Sequence, residues 1–253
     1  MTEDNTRVGT SSFDKDIRRR LKSLLSNPNV EVEDVLDYPT VFLRRVNLAK
    51  LLAQIELFKK TVQLPGSVVE LGVFKGSSFM TFLKLCDIYC PGDTLKRVIG
   101  FDTWEGFLDL HDNDGPEDSS REKRKGGFAA GSYFDILLEA ISIEQQDSFI
   151  PRFKRAELVR GDCRLTVPKY VTENPGLRIS LLHLDLDLYE PTLVALKYLY
   201  PLVVPGGVVI FDEYGMVGFP GETKAIDEYF HGEHIVIEKF PFISTPGGFL
   251  IKN

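Results

Sequence analysis

Two carboxylates separated by one leucine follow a hydrophobic run in the stretch ISLLHLDLDLYEP. They are Asp185 and Asp187, and a second acidic pair, Asp212 and Glu213, ends the apolar run VVIFDE. Carboxylates this close together disfavour being ionised at the same time unless a cation lies among them. Hard oxygen ligands suit Mg²⁺, Mn²⁺ or Ca²⁺ better than zinc. The pattern predicts a divalent metal site; the alternatives are a protonated carboxylate or pairing with the basic residues of 121–125.

A glycine-containing turn in VVELGVFKGSS joins an apolar run to a helical one. Gly72 and Gly76 let the backbone turn tightly and approach a ligand closely, and the N–H groups of the helix begun by Ser77 and Ser78 can hold a negatively charged group. Glu70, just before the turn, would repel a pyrophosphate but can pair with the ammonium group of an amino-acid-like ligand. The spacing E-x-G-x-x-x-G also differs from the G-x-G-x-x-G of dinucleotide binders.

Three further residues suit a nucleoside. Asp102 ends the run IGFD and can accept hydrogen bonds from both hydroxyls of a ribose. Trp104 follows it and can cover an adenine face, although plain packing explains such an aromatic equally well. Asp162, in RGDCRLTVP, can accept from an exocyclic adenine amine, although a Gly-Asp turn needs no function. His183 shares strand parity with Asp185, but a buried structural histidine is the commoner case.

These residues must be positioned by a sheet, because each acidic residue follows a short apolar run. Strands are predicted at 67–71, 96–102, 156–162, 179–185 and 208–213. Two more, at 234–240 and 247–252, are joined by a segment too short for a parallel crossover and predict an antiparallel hairpin. The expected fold class is α/β: a Rossmann-like, mostly parallel seven-stranded sheet with a C-terminal antiparallel hairpin and N-terminal helices. In such sheets, ligands bind outside the carboxyl ends of the strands.

One domain is expected to account for the chain. We predict a flexible N-terminus at 1–12 and a single domain at 13–253, made of an N-terminal helical cap at 13–62 and a Rossmann-like core at 66–253. The charged stretch 103–131 has no apolar period and is predicted to be a loop or lid.

The composition limits the kinds of binding partner that the protein is expected to have. A net charge of −7 argues against binding a polyanion, so no nucleic-acid partner is expected. The apolar stretches are interrupted by Lys, Pro and Gly and the N-terminus is polar, which predicts no membrane partner and a cytoplasmic location. Three cysteines cannot form a disulfide framework.

The motifs carry a family resemblance. The segments VVELGVFKGSS, GFDTWEGF, HLDLDLYEPTLVALKYLYPLVVPGGVVIFDEYG and GETKAIDEYF resemble the macrocin-type (TylF-like) sugar O-methyltransferases, a branch of the class I S-adenosylmethionine-dependent methyltransferases. The resemblance spans about residues 40–252, and the segment from the fourth to the fifth strand is its most specific part.

The resemblance implies a magnesium-dependent transfer of a methyl group from S-adenosyl-L-methionine to a hydroxyl group, in antibiotic or other secondary metabolism. The substrate would be a small molecule, a glycosylated natural product or a nucleotide sugar, and the protein a homo-oligomer. Carried onto this chain, the metal ligands would be Asp185, Asp212 and Glu213, and Asp185 would also be the general base. The sequence departs from the family's pattern at the acidic pair after the fifth strand, which is commonly Asp-Asp in such enzymes and is Asp212-Glu213 here.

Two alternative functions, each in a different functional class, were also considered. LDLDLYE resembles the D-x-D-x-[TV] signature of haloacid-dehalogenase-type phosphatases, but that motif normally follows the first strand of the chain. A non-catalytic S-adenosylmethionine-binding module is the other, and the complete acidic centre weighs against it, because a degenerate site would not retain charges that destabilise the fold.

Overall fold

The structure, a computed structural model, describes residues 12–253. The flexible N-terminus predicted at 1–12 therefore lies outside the described residues, except that Ser12 begins the first helix. The helices are α1 (Ser12–Leu25), α2 (Val32–Asp37), α3 (Pro39–Phe42), α4 (Arg45–Lys59), α5 (Ser77–Tyr89), α6 (Phe134–Asp147), α7 (Cys163–Glu173), α8 (Tyr189–Leu199) and α9 (Pro220–Tyr229). The strands are β1 (Ser67–Leu71), β2 (Val98–Asp102), β3 (Ala156–Arg160), β4 (Ile179–Leu184), β5 (Val203–Phe211) and β6 (Gly248–Ile251).

The described strands form one six-stranded sheet in the order β3-β2-β1-β4-β5-β6. The first five are parallel, and β6 pairs antiparallel with β5. β1 and β4 are buried along their whole length, as expected for apolar strands that helices cover on both faces. The strand order reverses between β1 and β4, so the turns after these two strands meet at the point where open α/β sheets bind ligands.

The prediction of seven strands with a terminal hairpin was wrong in its count. Residues 234–240 make only one antiparallel bridge, between Glu238 and Phe249. A longer pairing would need the N–H of Gly247 to point toward residues 234–240. This N–H instead donates to the carbonyl of Asp212, so the pairing does not extend past the bridge on that side. β5 is also longer than predicted, because Val203 and the following Pro-Gly-Gly segment continue the strand.

Two apolar layers flank the sheet. One packs α7, α8 and α9 against it through residues such as Val167, Leu196 and Ile226, and the other packs α4, α5 and α6 through Phe58 and Phe82. Four helices, α1 to α4, precede the sheet within the predicted helical cap, and Leu43, whose backbone is extended, separates α3 from α4. No described helix has the length and apolar character needed to cross a bilayer.

Candidate active site

A cavity of about 310 Å³ opens at the carboxyl ends of the parallel strands. Residues that follow each of the five strands line it: Gly72, Thr103, Asp162, Asp185 and Asp212. The segment 103–131 adds a wall, and its fold is fixed by Asp114, whose Oδ1 accepts from the Tyr189 N–H at 2.7 Å. The edge predicted from the sequence is therefore the edge at which the cavity lies.

Gly72 is the closest approach between the turns after β1 and β4. Its φ is +88°, and a Cβ atom on it would lie 1.7 Å from the carbonyl oxygen of Asp185. Only glycine fits both constraints. Gly76, Ser77 and Ser78 do not line the cavity: Gly76 precedes α5 as its N-cap with φ +84°, and the Ser78 hydroxyl donates to the Glu70 carboxylate.

Asp102 lies in the cavity wall with a fixed carboxylate. Its Oδ2 accepts from the Phe74 N–H at 2.7 Å and its Oδ1 from the Trp104 N–H at 2.6 Å. Burial raises the pKa of Asp102, although these two hydrogen bonds oppose the shift. The carboxylate retains lone pairs for hydroxyl donors, so it fits the ribose-binding role predicted for it.

Asp162 also lines the cavity, but it already has a cationic partner. It caps α7 by accepting from the Arg164 N–H at 2.9 Å, and the Arg164 guanidinium lies 2.8 Å from its Oδ2. The same guanidinium contacts Asp109 at 2.8 Å and Glu190 at 2.8 Å. Arg164 thus ties the segment 103–131 to α7 and α8.

Trp104 is buried away from the cavity. Its ring packs edge-on against Phe134 at 4.6 Å between centroids, and its indole N–H donates to the Phe74 carbonyl at 2.9 Å. Phe107 and Phe128, from the segment 103–131, line the cavity, as do Phe74 and Phe101.

Glu70 lies below the cavity floor rather than in its wall. Its carboxylate is fully buried, and Oε1 lies 3.0 Å from His183 Nδ1. His183 Nε2 in turn lies 3.6 Å from Asp212 Oδ1. Burial alone would lower the pKa of His183, but Asp212 and Glu70 outweigh it and raise that pKa to about 10. The histidine thus lies between two carboxylates, which favour its protonated form.

The acidic residues divide into two groups. Oxygens of Asp185, Asp187 and Glu213 lie within 4.8 Å of one another, and Asp185 forms a second group with Asp212 and His183. The predicted ligand set of Asp185, Asp212 and Glu213 is thus split, with Asp187 beside Glu213. Burial, followed by the charges of Asp187 and Asp212, raises the pKa of Glu213 well above its ordinary value. A three-carboxylate oxygen set of this kind fits a hard divalent cation.

Lys50 supplies a positive charge to the group formed by Asp185, Asp212 and His183. Its Nζ lies 2.9 Å from Asp212 Oδ2 and 3.4 Å from Asp185 Oδ2. Burial alone would raise the pKa of Asp212, but Lys50 and His183 outweigh it and hold that pKa below its ordinary value. Burial and the charge of Asp212 raise the pKa of Asp185 to about 6. One carboxylate is thus firmly ionised and its neighbour is easily protonated.

Sequence reasoning missed Lys50, Arg164, Phe107 and Phe128. The signal for Lys50 was a single lysine inside the apolar helical run of α4, and the signal for Arg164 was a basic residue two positions after the predicted Asp162. Neither signal identifies a partner, since the ion pairs of Lys50 join residues more than a hundred positions apart.

The sequence resembles one family of known proteins. The model of the macrocin O-methyltransferase (TylF) family matches residues 32–241. The 8-demethyl-8-(2,3-dimethoxy-alpha-L-rhamnosyl)-tetracenomycin-C 4'-O-methyltransferase of Streptomyces olivaceus is 32% identical over 71% of this chain and 66% of that protein. The mycinamicin III 3''-O-methyltransferase of Micromonospora griseorubida is 26% identical over 76% of this chain and 72% of that protein. The matches thus span about two thirds of the length of these relatives.

Solved structures agree with the sequence comparison. The crystal structure of CalS11, a calicheamicin methyltransferase, superposes with a TM-score of 0.88 at 33% identity, covering 95% of this chain and 93% of that one. An apo structure of CalS11, described as a TDP-rhamnose 3'-O-methyltransferase, gives 0.80 at 31% identity and covers 95% of both chains. The O-methyltransferase NovP, at 19% identity and a TM-score of 0.57 over 81% of this chain and 79% of that one, shares the fold.

Proposed function

This chain belongs to the macrocin O-methyltransferase (TylF) family, and we propose that it transfers a methyl group from S-adenosylmethionine to a sugar hydroxyl, with a divalent cation such as Mg²⁺ at the acidic centre. The substrate class is a glycosylated natural product or a nucleotide sugar. The observation that carries the proposal is the cavity itself, whose lining brings Gly72 and Asp102 together with Asp185, Asp187 and Glu213.

The donor end of the cavity suits a nucleoside joined to an amino acid. Asp102 offers oxygens to the ribose hydroxyls, while Phe107 or Phe128 covers the base. Gly72 lines the cavity and lets the turns after β1 and β4 lie close together. When bound, S-adenosylmethionine supplies an electrophilic methyl group, and the chemistry of that group belongs to the cofactor.

The acceptor end orients a hydroxyl and removes its proton. Asp185 is the proposed general base, because its carboxylate lines the cavity and belongs to both acidic groups at the strand ends. Lys50 keeps Asp212 ionised and in place. Asp185, Asp187 and Glu213 would hold the cation, which when bound lowers the pKa of a substrate hydroxyl and fixes its position.

The segment 103–131 is proposed to limit the access of water. It contributes Phe107 and Phe128 to the cavity wall, and the Asp109 carboxylate holds it to Arg164. Lys123 anchors its far end by donating to the Asp114 carbonyl at 3.1 Å and the Gly218 carbonyl at 3.0 Å. A segment tied at both ends can still open between the ties when substrate enters.

The two other classes considered from the sequence lose their support. A phosphatase of the haloacid-dehalogenase type would place its aspartate pair after the first strand, whereas Asp185 and Asp187 follow β4. A binding module without catalysis would have no use for three carboxylates within ligating distance of one another at the cavity floor.

Activity on a substrate panel tests the proposal. The full chain is incubated with S-adenosylmethionine and Mg²⁺ against nucleoside-diphosphate deoxysugars, free sugars and rhamnosylated aglycones, and products are identified by mass and by NMR of the new O-methyl group. Turnover is expected with a sugar hydroxyl and is expected to fall when a chelator removes divalent cations.

Asp185→Ala provides the decisive comparison. It should abolish turnover while the affinity for S-adenosylhomocysteine, measured by calorimetry, changes little, because the donor end depends on Gly72 and Asp102. The matched control Asp227→Asn removes an exposed carboxylate on α9 and should leave both quantities unchanged. Normal turnover by Asp185→Ala would contradict the assigned base, and failure of the wild type to bind S-adenosylhomocysteine would contradict the whole proposal.

A further inference from the structure

Glu222 is a fully buried carboxyl group that does not line the cavity. It lies in the first turn of α9, and it belongs to neither of the two groups of potential cation ligands found among residues 12–253. Burying a carboxyl group is costly to the folded state unless the group makes a hydrogen bond. The hydrogen-bond partner of Glu222 therefore indicates what this residue does.

That partner is the backbone of Glu213. Glu222 Oε1 accepts a hydrogen bond from the Glu213 N–H at 2.9 Å, and both side chains are buried. The second oxygen, Oε2, is also buried and has no hydrogen-bond partner in the part of the chain that the structure describes. The carboxyl group of Glu222 is thus directed at the backbone of a proposed cation ligand.

The first turn of α9 holds the turn after β5 at two points. Beside the bond from Glu222 to Glu213, Thr223 Oγ1 accepts a hydrogen bond from the Gly215 N–H at 2.9 Å. The turn is closed on itself by the Met216 N–H, which donates to the Glu213 carbonyl at 2.9 Å. The turn that carries Glu213 is therefore positioned by α9 as well as by the sheet.

The start of α9 is itself closely packed. A Cβ atom on Gly221 would lie 2.0 Å from Asp114 Oδ1 and 2.7 Å from the backbone nitrogen of Tyr189. Only glycine allows α9 to lie this close to the segment 103–131 and to α8. Glu222, the next residue, is thus a hydrogen-bond acceptor on a part of the helix that has little room to move.

We infer that Glu222 is a positioning residue for the divalent cation: by accepting the Glu213 N–H, it keeps the Glu213 carboxylate within ligating distance of Asp185 and Asp187. The inference rests on the cation site proposed above. A glutamate side chain is long and flexible, so a fixed backbone limits the places that its carboxylate can reach. Hydrogen bonds that hold a metal ligand in place typically change metal affinity by about 10–100-fold.

Two other roles for Glu222 make different predictions. A direct ligand or a source of negative charge would need the carboxylate itself, so glutamine could not replace it. A plain connection between α9 and the sheet would make the bonds of Glu222 and Thr223 equivalent, because each joins a side chain of α9 to a backbone N–H of the same turn.

The affinity of the full chain for Mn²⁺ separates these roles. It is measured by electron paramagnetic resonance of free Mn²⁺, without methyl donor or acceptor, and urea unfolding with a chelator measures the stability of the same proteins. Glu222→Met keeps a similar volume but removes the acceptor, and should weaken Mn²⁺ binding at least about 10-fold. Glu222→Gln retains an acceptor oxygen and should stay within about 3-fold of the wild type.

Thr223→Val is the matched control. It removes the hydrogen bond to the Gly215 N–H, two positions from the ligand, and should lower stability by an amount comparable to Glu222→Met. Its Mn²⁺ affinity should nevertheless stay within about 3-fold of the wild type.

Three results with a wild type that binds Mn²⁺ would overturn the inference alone. They are unchanged affinity in Glu222→Met, affinity in Glu222→Gln as weak as in Glu222→Met, and equal losses of affinity in Glu222→Met and Thr223→Val. A wild type that binds no Mn²⁺ would instead contradict the proposed cation site, and the inference with it.

Discussion

The ammonium group of Lys50 lies 2.9 Å from Asp212, so a helix that precedes the sheet brings the counter-charge to a carboxylate at the end of β5. The Asp212 side chain is almost fully buried, whereas that of Lys50 is 33% exposed. The helix α4 is therefore part of the acidic centre as well as a covering layer of the sheet.

Replacing Lys50 by methionine should lower the free energy of unfolding. Without the Lys50 ammonium group, His183 is the remaining cationic partner near Asp212. Because Lys50 is partly exposed to water, the decrease in unfolding free energy should be limited to about 1–3 kcal/mol at neutral pH. Urea unfolding measures it. The control Lys59→Met, at an exposed position of the same helix, should cost less than about 0.5 kcal/mol. Equal losses in the two variants would show that the Lys50 ion pair contributes nothing to stability.

Asp185→Asn should stabilise the metal-free protein while removing activity. The pKa of Asp185 is raised from 3.8 to about 6, so between these values the folded state binds more protons than the unfolded state. Wild-type stability therefore falls as the pH rises through that range, and the asparagine variant avoids this loss.

The gain from Asp185→Asn should reach about 1–3 kcal/mol above pH 6 and shrink toward pH 4. Urea unfolding in the presence of a chelator measures it at several pH values. With the proposed cation site, added Mg²⁺ should stabilise the wild type more than the variant. A variant that is less stable than the wild type at every pH would contradict the charge repulsion on which this prediction depends.

His183→Gln should be destabilising in a pH-dependent way. The raised pKa of about 10 means that the protonated ring stabilises the folded state fully below the unfolded value of 6.5, and that this contribution is lost as the pH rises to about 10. The difference in unfolding free energy between wild type and variant should be largest at acidic to neutral pH, about 3–5 kcal/mol for a broken buried ion pair.

Unfolding of both His183 proteins at several pH values between 6.5 and 10 measures the trend. His234→Gln, at an exposed position, is the control and should change stability little across the range. A difference that stays constant with pH would mean that the ring acts only as a neutral hydrogen-bonding group.

The ends of β2, β4 and β5 could be read from the sequence because each is an apolar run that ends in an acidic residue or is followed directly by one. β1 matches its predicted bounds, and a parallel sheet requires Asp102, Asp185 and Asp212 to meet at one edge. The direction of the Glu70 side chain could also be predicted from the alternation of side chains along a strand. Glu70 lies on the same face of β1 as Val68, so it points toward α5 and not toward the cavity.

Other features depend on contacts that no local pattern contains. Lys50 meets its partners only after the helix has docked on the sheet, so nothing near it in the sequence indicates the pairing. Trp104 has a φ of +55°, an uncommon backbone conformation that directs the ring into the core beneath the loop. Residues 234–240 make a single bridge to β6 in place of a seventh strand, and the Gly247 N–H donates to the Asp212 carbonyl.

Gly72→Ala should impair both folding and donor binding. The added methyl group would lie 1.7 Å from the Asp185 carbonyl oxygen in a backbone region that alanine avoids, so the turns after β1 and β4 must separate. We expect a stability loss of about 2–4 kcal/mol and at least about 10-fold weaker binding of S-adenosylhomocysteine. Gly92→Ala, which meets no atom within 4 Å, is the control and should be neutral. Wild-type affinity in Gly72→Ala would show that this turn does not contact the donor.

Trp104→Phe and Phe107→Ala should have opposite consequences, because Trp104 packs beneath the loop and Phe107 faces the cavity. Losing the indole hydrogen bond to the Phe74 carbonyl should reduce stability by about 1–2 kcal/mol and leave the affinity for S-adenosylhomocysteine nearly unchanged. Losing the Phe107 ring removes a face for the adenine and should weaken that affinity by about 10-fold with a smaller effect on stability. Calorimetric titration and thermal unfolding of both variants separate the two roles. If Trp104→Phe weakens binding while Phe107→Ala does not, the tryptophan and not Phe107 contacts the nucleoside.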